Sequence, residues 1–334
     1  MRKLFAIFVL VVVFTGVWLA FSVLTPPGIA SQQIVTLKPG TGARGIAAEL
    51  QRAGVIRSGN AFLLYHYLRG RRTLKAGTYE FAHPENMMAV YDHIAKGEVA
   101  SQGVVIPEGY NMFDIAKTLD EAGVCKRDAF LDYVRTDVTL IADLAPEART
   151  LEGYLFPDTY NFSPNETPQK VAAVMVKRFR QEATRLGLTE NVQRTVTLAS
   201  IVEKETRLPD ERPLVAGVFE NRLAQHIGLA TDPSVIYASL LRGKFDGTIR
   251  QSDLQLDSPY NTYKYAGLPP GPIANPGVTA LAAAMHPTQT DYLYFVANNA
   301  GGHNFARTIE EHNHNVAEYR KGHVTGSSAN GGKR

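Results

Sequence analysis

Two glutamates, Glu203 and Glu205, close the segment TVTLASIVEKET (Thr195–Thr206), whose other residues a helix would bury. Burying an unpaired carboxylate costs several kcal/mol, so such a group protonates or acquires a partner. Both positions fall in the last turns of the expected helix, where the partial negative charge of the backbone also disfavours an ionised carboxyl. A raised pKa suits a general acid, which must hold its proton near neutral pH until the leaving group needs it. On a helical wheel Leu198, Ala199, Ile201 and Val202 form an apolar arc, with Glu205 inside it and Glu203 at its edge beside Val196, Ala199 and Ser200. An edge position can line a cleft that is half apolar and half wet. Periodicity does not choose between the two glutamates. Either could instead pair with Arg207, Arg212 or Arg222 and tie two helices together.

Other reactive residue types carry less. His303, His312 and His314 lie near the C-terminus, but residues two apart on a helix point away from each other, and no HExxH or cysteine pair accompanies them. No metal and no cofactor is expected. The Gly-Pro run 267–277 lacks the Lys-Ser/Thr of a phosphate loop and reads as a rigid cleft wall. Cys125 is the single cysteine, which excludes an internal disulfide. A net charge of +3 with one short basic run, Arg69-Gly70-Arg71-Arg72, gives no stripe for nucleic acid.

The elements that must position these residues begin with LFAIFVLVVVFTGVWLAFSVL (Leu4–Leu24), 21 uncharged residues. At about 1.5 Å per residue they span about 31 Å, close to a hydrocarbon core of roughly 30 Å. Arg2 and Lys3 precede them, and their charge favours a cytoplasmic N-terminus. A cleaved signal with Ala20-Phe21-Ser22 as its small-x-small site is the competing reading, and either one exports the rest of the chain. The expectation is a single-pass anchor over 1–25 with a linker over 26–34.

The next region repeats itself. VTLKPGTGARGIAAELQRAGV (Val35–Val55) aligns without gaps on VVIPEGYNMFDIAKTLDEAGV (Val104–Val124). Each copy reads as a strand, a glycine turn and an amphipathic helix, with a second helix following near Ala61–Arg69 and Arg127–Arg135. KAGTYEF reads as a further strand. The copies resemble LysM, an α+β module that binds N-acetylglucosamine chains, and delimit two modules over about 35–100 and 104–143, with a boundary at 144–149. An α+β domain over 150–322 follows. Its expected helices are Pro168–Leu186, one capped by Thr189 and reaching about Leu208-Pro209, one from Pro213, one opened by Asn275-Pro276, and one from Thr308 to about Lys321. Asp291–Asn298 reads as a strand. Residues 323–334 have the composition of a disordered tail.

The blocks LEGYLFPDTY, LASIVEKE, ERPLVAGVFENRL, TDPSVIY, SPYNTY, GLPPGPIANPG, YLYFVA and GGHNFARTIEEHN follow one another in the order of the YceG-like endolytic murein transglycosylases, and the resemblance covers the chain from the anchor to about Tyr319. It implies cleavage of the β-1,4 bond between N-acetylmuramic acid and N-acetylglucosamine inside glycan strands, without water, leaving a 1,6-anhydro ring. It implies Glu203 as the catalytic acid and Glu205 as its support. It also implies work beside peptidoglycan synthases at the inner membrane, with the catalytic domain outside the cytoplasm. One carboxylate suffices for such a reaction, because the attacking 6-hydroxyl is already tethered to the reacting sugar, whereas hydrolysis calls for a second. Amides, carboxylates and tyrosines suit sugars, so Asn221, Asp232, Tyr260, Asn261 and Tyr263 are expected at the substrate, with Glu152 and Asp158 behind them. Two competing readings are a muramidase using Asp232 or Glu152 as second carboxylate, and a non-catalytic glycan-binding scaffold.

Overall fold

The computed structural model describes residues 2–28, 32–100 and 102–329, so part of the expected linker 26–34 lies outside the described residues. The chain clusters into two compact units, Met1–Gly103 with Asn161–Pro164, and Val104–Tyr160 with Asn165–Arg334. The N-terminal run forms α1 (Arg2–Leu24), long and apolar enough to cross a membrane, with its Leu4–Leu24 stretch at a mean hydropathy of 2.8. The helix ends just before Pro26 and Pro27, which lack the N–H needed to continue it.

The rest of the first unit runs β1 (Gln33–Leu37), α2 (Ala43–Arg52), α3 (Gly59–Leu68), β2 (Gly77–Phe81) and α4 (Met87–Lys96). β1 and β2 pair antiparallel with Val35 opposite Tyr79, which makes a βααβ unit. Strand alternation buries Val35 and Leu37 against Leu50, Phe62, Tyr91 and Ile94. Ser58 caps α3 by accepting the Ala61 N–H, and Asn86 caps α4 by accepting that of Ala89. α4 is an element that the sequence reading omitted.

The chain continues with β3 (Gln102–Val105), α5 (Met112–Glu121), α6 (Arg127–Thr136), β4 (Thr159–Phe162) and α7 (Pro168–Leu186), of which the helices lie in the second unit and α7 has the expected bounds. Thr167 caps α7, Pro168 opens it, and Gly187 closes it in the left-handed region, each in its preferred place. Then come α8 (Val192–Glu205), α9 (Arg212–Ala224), α10 (Asp232–Leu241), α11 (Val278–Met285), β5 (Tyr294–Ala297), β6 (His303–Ala306) and α12 (Ile309–Ala329). β3 pairs with β4, and β5 with β6.

α8 is the axis of this unit. Every residue from Thr195 to Val202 is buried, and α9, α10 and α11 pack around it. Two glycines allow that density. Gly153 sits at φ +89°, and a Cβ there would lie 2.4 Å from Pro272 and 2.8 Å from Val196. Gly217 in α9 passes so close to the Thr288 carbonyl that a Cβ would meet its oxygen at 2.2 Å.

Several boundaries differ from those read in the sequence. The second repeat copy belongs to the second unit, and residues 144–149 form no break, because α6 packs on α7 and the Leu151 N–H donates to the Val134 carbonyl at 2.8 Å. α8 starts at Val192, after Asn191 in the left-handed region, and stops at Glu205, where a single 3₁₀ turn (Pro209–Glu211) intervenes before α9. α11 starts at Val278. α12 is helical through 323–329, where disorder was expected, while 330–334 lie outside the described residues.

Candidate functional site

Residues two apart on a helix point about 200° apart, so Glu203 and Glu205 leave α8 on opposite sides. Glu203 leaves toward the segment before α11. Its Oε1 accepts from Arg212 Nη2 at 2.6 Å, and its Oε2 accepts from the Gly277 N–H at 3.0 Å. The Arg212 side chain is 5 % exposed and the Glu203 side chain 6 %. Arg212 also donates to Thr279 Oγ1 and lies 3.7 Å from Glu108. Burial pushes the Glu203 pKa up, opposed by the Gly277 N–H and the Arg212 charge. Both oxygens are thus committed inside the protein. Glu203 forms the inter-helix pair that the sequence left open as an alternative.

Glu205 leaves toward α10. It borders a cavity of about 410 Å³ together with Asp232, Tyr263, Arg222, Tyr294 and His312. Among the described residues its carboxyl has no hydrogen bond or ion pair, and burial followed by repulsion from Asp232 raises its pKa to about 7, with Arg222 pulling the other way. Asp232, the first residue of α10, accepts the Tyr263 hydroxyl hydrogen bond at 2.7 Å. Burial, and then that bond, raise the Tyr263 pKa.

Across the cavity, Arg222 of α9 donates through Nη1 to the Leu229 carbonyl at 3.3 Å and lies over the Tyr294 ring at 5.4 Å. Its Nε is buried without a partner among the described residues, and burial lowers its pKa. His312 stacks on Tyr294 at 5.4 Å, and its buried Nδ1 has no partner among the described residues. Burial lowers its pKa, so the neutral ring is favoured. A protonatable carboxyl, an acceptor carboxylate, tyrosine faces and a guanidinium around one void suit a polyol substrate with a proton to move.

Of the residues expected at substrate, Asp232 and Tyr263 join Glu205 here, and the others do not. Asn221 donates to the Thr290 and Tyr292 carbonyls at 2.6 and 3.0 Å, fixing the approach to β5. Asn261 is wholly buried and bonds the Leu254 and Leu256 carbonyls, shaping the loop that presents Tyr263. Tyr260 packs on Tyr237, and burial pushes its hydroxyl pKa up to about 12. Asp158 pairs with Arg178 of α7 at 2.6 Å, which lowers its pKa.

Glu152, 1 % exposed, accepts the Met112 N–H at the start of α5 and the Asn275 amide at 2.7 Å; burial raises its pKa to about 8. Asn275, expected as a helix cap, gives its amide to Glu152 and the Tyr110 carbonyl and takes the Leu155 N–H, which is why α11 starts later. The Gly-Pro run is held to α8 as a wall by Gln193 on the Pro270 carbonyl and Ser200 Oγ under the Ile273 N–H. Arg222, Tyr294 and His312 were missed as site residues. The sequence signals were that all three stand in the motif blocks, Arg222 one position after Asn221, Tyr294 in YLYFVA and His312 in GGHNFARTIEEHN.

Comparison with known proteins agrees with the order of the motifs. The model of the YceG-like family matches residues 35–318. An endolytic murein transglycosylase from Bacillus subtilis (strain 168) is 34 % identical over 307 residues, 85 % of this chain and 84 % of that protein. One from Streptococcus pneumoniae serotype 2 is 31 % identical over 335 residues, 89 % of this chain, but the match spans only 60 % of that longer protein. The crystal structure of a putative YceG-like protein from Listeria monocytogenes superposes with a TM-score of 0.54 at 34 % identity, covering 84 % of this chain and 98 % of that one. A match over most of the chain, in sequence and in fold, makes this chain a member of the YceG-like family.

Proposed function

We propose that this chain is a membrane-anchored endolytic murein transglycosylase, and that Glu205 rather than Glu203 is its acid. One observation carries the choice: Glu205 borders the cavity with its pKa near 7 and its carboxyl uncommitted, whereas both Glu203 oxygens are bonded within the protein. The roles that the resemblance implied are exchanged, and Glu203 becomes the support.

In the reaction, the protonated Glu205 gives its proton to the glycosidic oxygen as the bond to the muramyl anomeric carbon breaks. The muramyl 6-hydroxyl oxygen then bonds to that carbon, and its proton passes to the Glu205 carboxylate. The acid is restored, no water is consumed, and the ring closes as the 1,6-anhydro sugar. Proton transfer of this kind is worth roughly 10²–10⁴-fold in rate. Asp232 places a second carboxylate beside the oxocarbenium-like transition state, where negative charge is stabilising, and Tyr263 fixes its orientation. Asp232 and Tyr263 are the substrate-facing residues of this reading; Asn221, Asn261, Tyr260, Glu152 and Asp158 build the walls.

The presence of Asp232 beside Glu205 also suits a hydrolase that activates water with the second carboxylate. Mass spectrometry of purified glycan strands treated with the detergent-solubilised chain separates the two. Products one water lighter than reducing ends, absent with Glu205→Gln, support the transglycosylase. Reducing-end products move the reading to a muramidase, and products that persist with Glu205→Gln but vanish with a folded Glu203→Gln return the acid to Glu203.

The anchor reading adds that α1 crosses the inner membrane with Arg2 on the cytoplasmic side and the two units outside, where nascent strands and their synthases lie. The βααβ order of the first unit supports the LysM-like reading, in which that unit holds glycan.

A further inference from the structure

We infer that α3 and the arginine turn after it form a second membrane contact, seated in the interfacial layer of the bilayer that α1 crosses. The inference rests on α1 being the anchor and is independent of the chemistry at Glu205.

The depth follows from how α1 meets its own unit. Leu19 and Val23 pack against the buried core of the first unit, while the Arg57 guanidinium lies 4.8 Å over the Phe21 ring and donates to the Pro26 carbonyl at 2.7 Å. Leu19 precedes the apolar end at Leu24 by five residues. At about 1.5 Å per residue that is about 7 Å below the exit point of the helix. Whatever packs on Leu19 therefore cannot stand clear of the bilayer. It lies at the headgroup–acyl boundary, the depth of roughly 5–10 Å at which interfacial helices rest.

The helices packed on α1 are α3 and α4. α4 turns Met87, Val90, Tyr91 and Ile94 into the core. α3 instead leaves Leu64, Tyr67 and Leu68 at 43 %, 61 % and 70 % exposure. Their spacing of three and four puts them on one helix face. Arg69, Arg71 and Arg72 follow directly and are exposed. Arg71 lies over Tyr67 at 4.9 Å and Arg69 over Tyr65 at 5.6 Å, while among the described residues the acid paired with Arg69 and Arg72 is Asp92, 3.9 Å from each. Leucines beside a tyrosine, bordered by arginines, match the layered polarity of a lipid interface: acyl chains, then glycerol, then anionic headgroups. The partner of this face is accordingly anionic lipid, and the first unit rests on the membrane at two points rather than one.

The test uses the full chain with Cys125→Ser and Leu68→Cys, an exposed position, labelled with an environment-sensitive dye and reconstituted into phosphatidylcholine vesicles with and without phosphatidylglycerol. Lipids spin-labelled near the headgroup and aqueous iodide compete as quenchers. The expected result is lipid quenching that exceeds iodide quenching by about threefold or more, as for a probe at the interfacial depth. Phosphatidylglycerol should strengthen it, and replacing Arg69, Arg71 and Arg72 by Gln should lower the docked-to-free ratio by about 10²-fold, from about 1 kcal/mol per arginine. Quenching by iodide alone overturns the inference, as does shielding from both quenchers, which would mark a protein contact instead. Failure of the chain to float with vesicles removes the anchor reading itself, a different result from an anchored chain with an exposed probe.

Discussion

Glu203 and Glu205 stand two residues apart on one helix, and each has an arginine of α9 on its side: Arg212 at the start of that helix, Arg222 near its end. The outcomes are opposite. Glu203 and Arg212 meet at 2.6 Å, both almost fully buried, with Gly277 and Thr279 saturating what remains. Glu205 and Arg222 face a common void, and no ion pair joins them among the described residues. The same two residue types make a buried pair where the space between them is closed and line a void where it stays open. A buried pair whose valences are all used has nothing left to give a ligand, whereas a separated acid and base keep theirs.

Exchanging the roles is the sharpest way to break this contrast. Glu205→Gln keeps the shape and removes the proton, so strand cleavage should fall by about 10²–10⁴-fold with thermal stability nearly unchanged. Glu203→Gln should behave the other way round. It leaves Arg212 buried beside a neutral amide, and removing one partner of a buried pair typically costs about 3–5 kcal/mol. Urea unfolding of Glu203→Gln, Arg212→Met and the double variant Glu203→Met/Arg212→Met measures this, with the double variant expected to recover part of the loss. Should Glu203→Gln unfold like wild type yet lose cleavage, the two sides have been assigned the wrong way round.

The packing that brings both sides together can be tested at Gly217. An alanine there drives its methyl into the Thr288 carbonyl, whose backbone cannot swing aside as a side chain can, so a loss of about 1–3 kcal/mol is expected by urea unfolding. Cleavage per folded molecule should stay close to wild type, because neither glutamate touches that residue.

Local chemistry made much of this fold readable. α7 was legible to the residue because Thr167, Pro168 and Gly187 act through their own backbone. The strand from Gly77 and the helix from Arg127 were legible for similar reasons. Asn275-Pro276 carries an equally good opening signal, yet the Asn275 side chain is taken up by Leu155, Tyr110 and Glu152, all three more than a hundred residues distant in sequence. The surroundings of the two glutamates were illegible for the same reason. A helical wheel distinguishes centre from edge only when one side of the helix meets solvent, and α8 is enclosed on every side from Thr195 to Val202. What separates Glu203 from Glu205 is the position of Arg212 and Gly277, which no periodicity within α8 contains. α10 was missed since Asp232-Pro233 reads equally as a turn, and β6 since HNFA is short and polar.

Glu152 provides a third carboxylate with which to sharpen the comparison, buried like Glu203 but with no cation against it among the described residues. Its folded pKa of about 8 lies above its ordinary 4.5, so between those values the folded protein holds a proton that the unfolded chain releases. Stability from this group is complete below about pH 4.5 and is lost as pH rises toward 8; Glu205 acts in the same direction up to about 7. The melting temperature should therefore decline from pH 5 to pH 8, and Glu152→Gln should flatten part of that decline. An unchanged slope would mean that Glu152 is ionised in the folded state and that its N–H donors outweigh its burial.

The smallest effect, and the one closest to the chemistry, belongs to Asp232. Cleavage that needs a protonated Glu205 should be full at low pH and disappear as pH rises through about 7. Asp232 is the neighbour that pushes this limb upward, so Asp232→Asn, whose amide oxygen can still accept from Tyr263, should move the limb of kcat/KM to lower pH as well as lowering its height. At pH 5.5 the variant should then be nearer to wild type than at pH 7.5. A limb that stays in place while the height falls would leave Asp232 acting on the substrate without tuning Glu205, and a limb that instead follows Glu203→Gln would locate the titrating acid on the closed side of the helix.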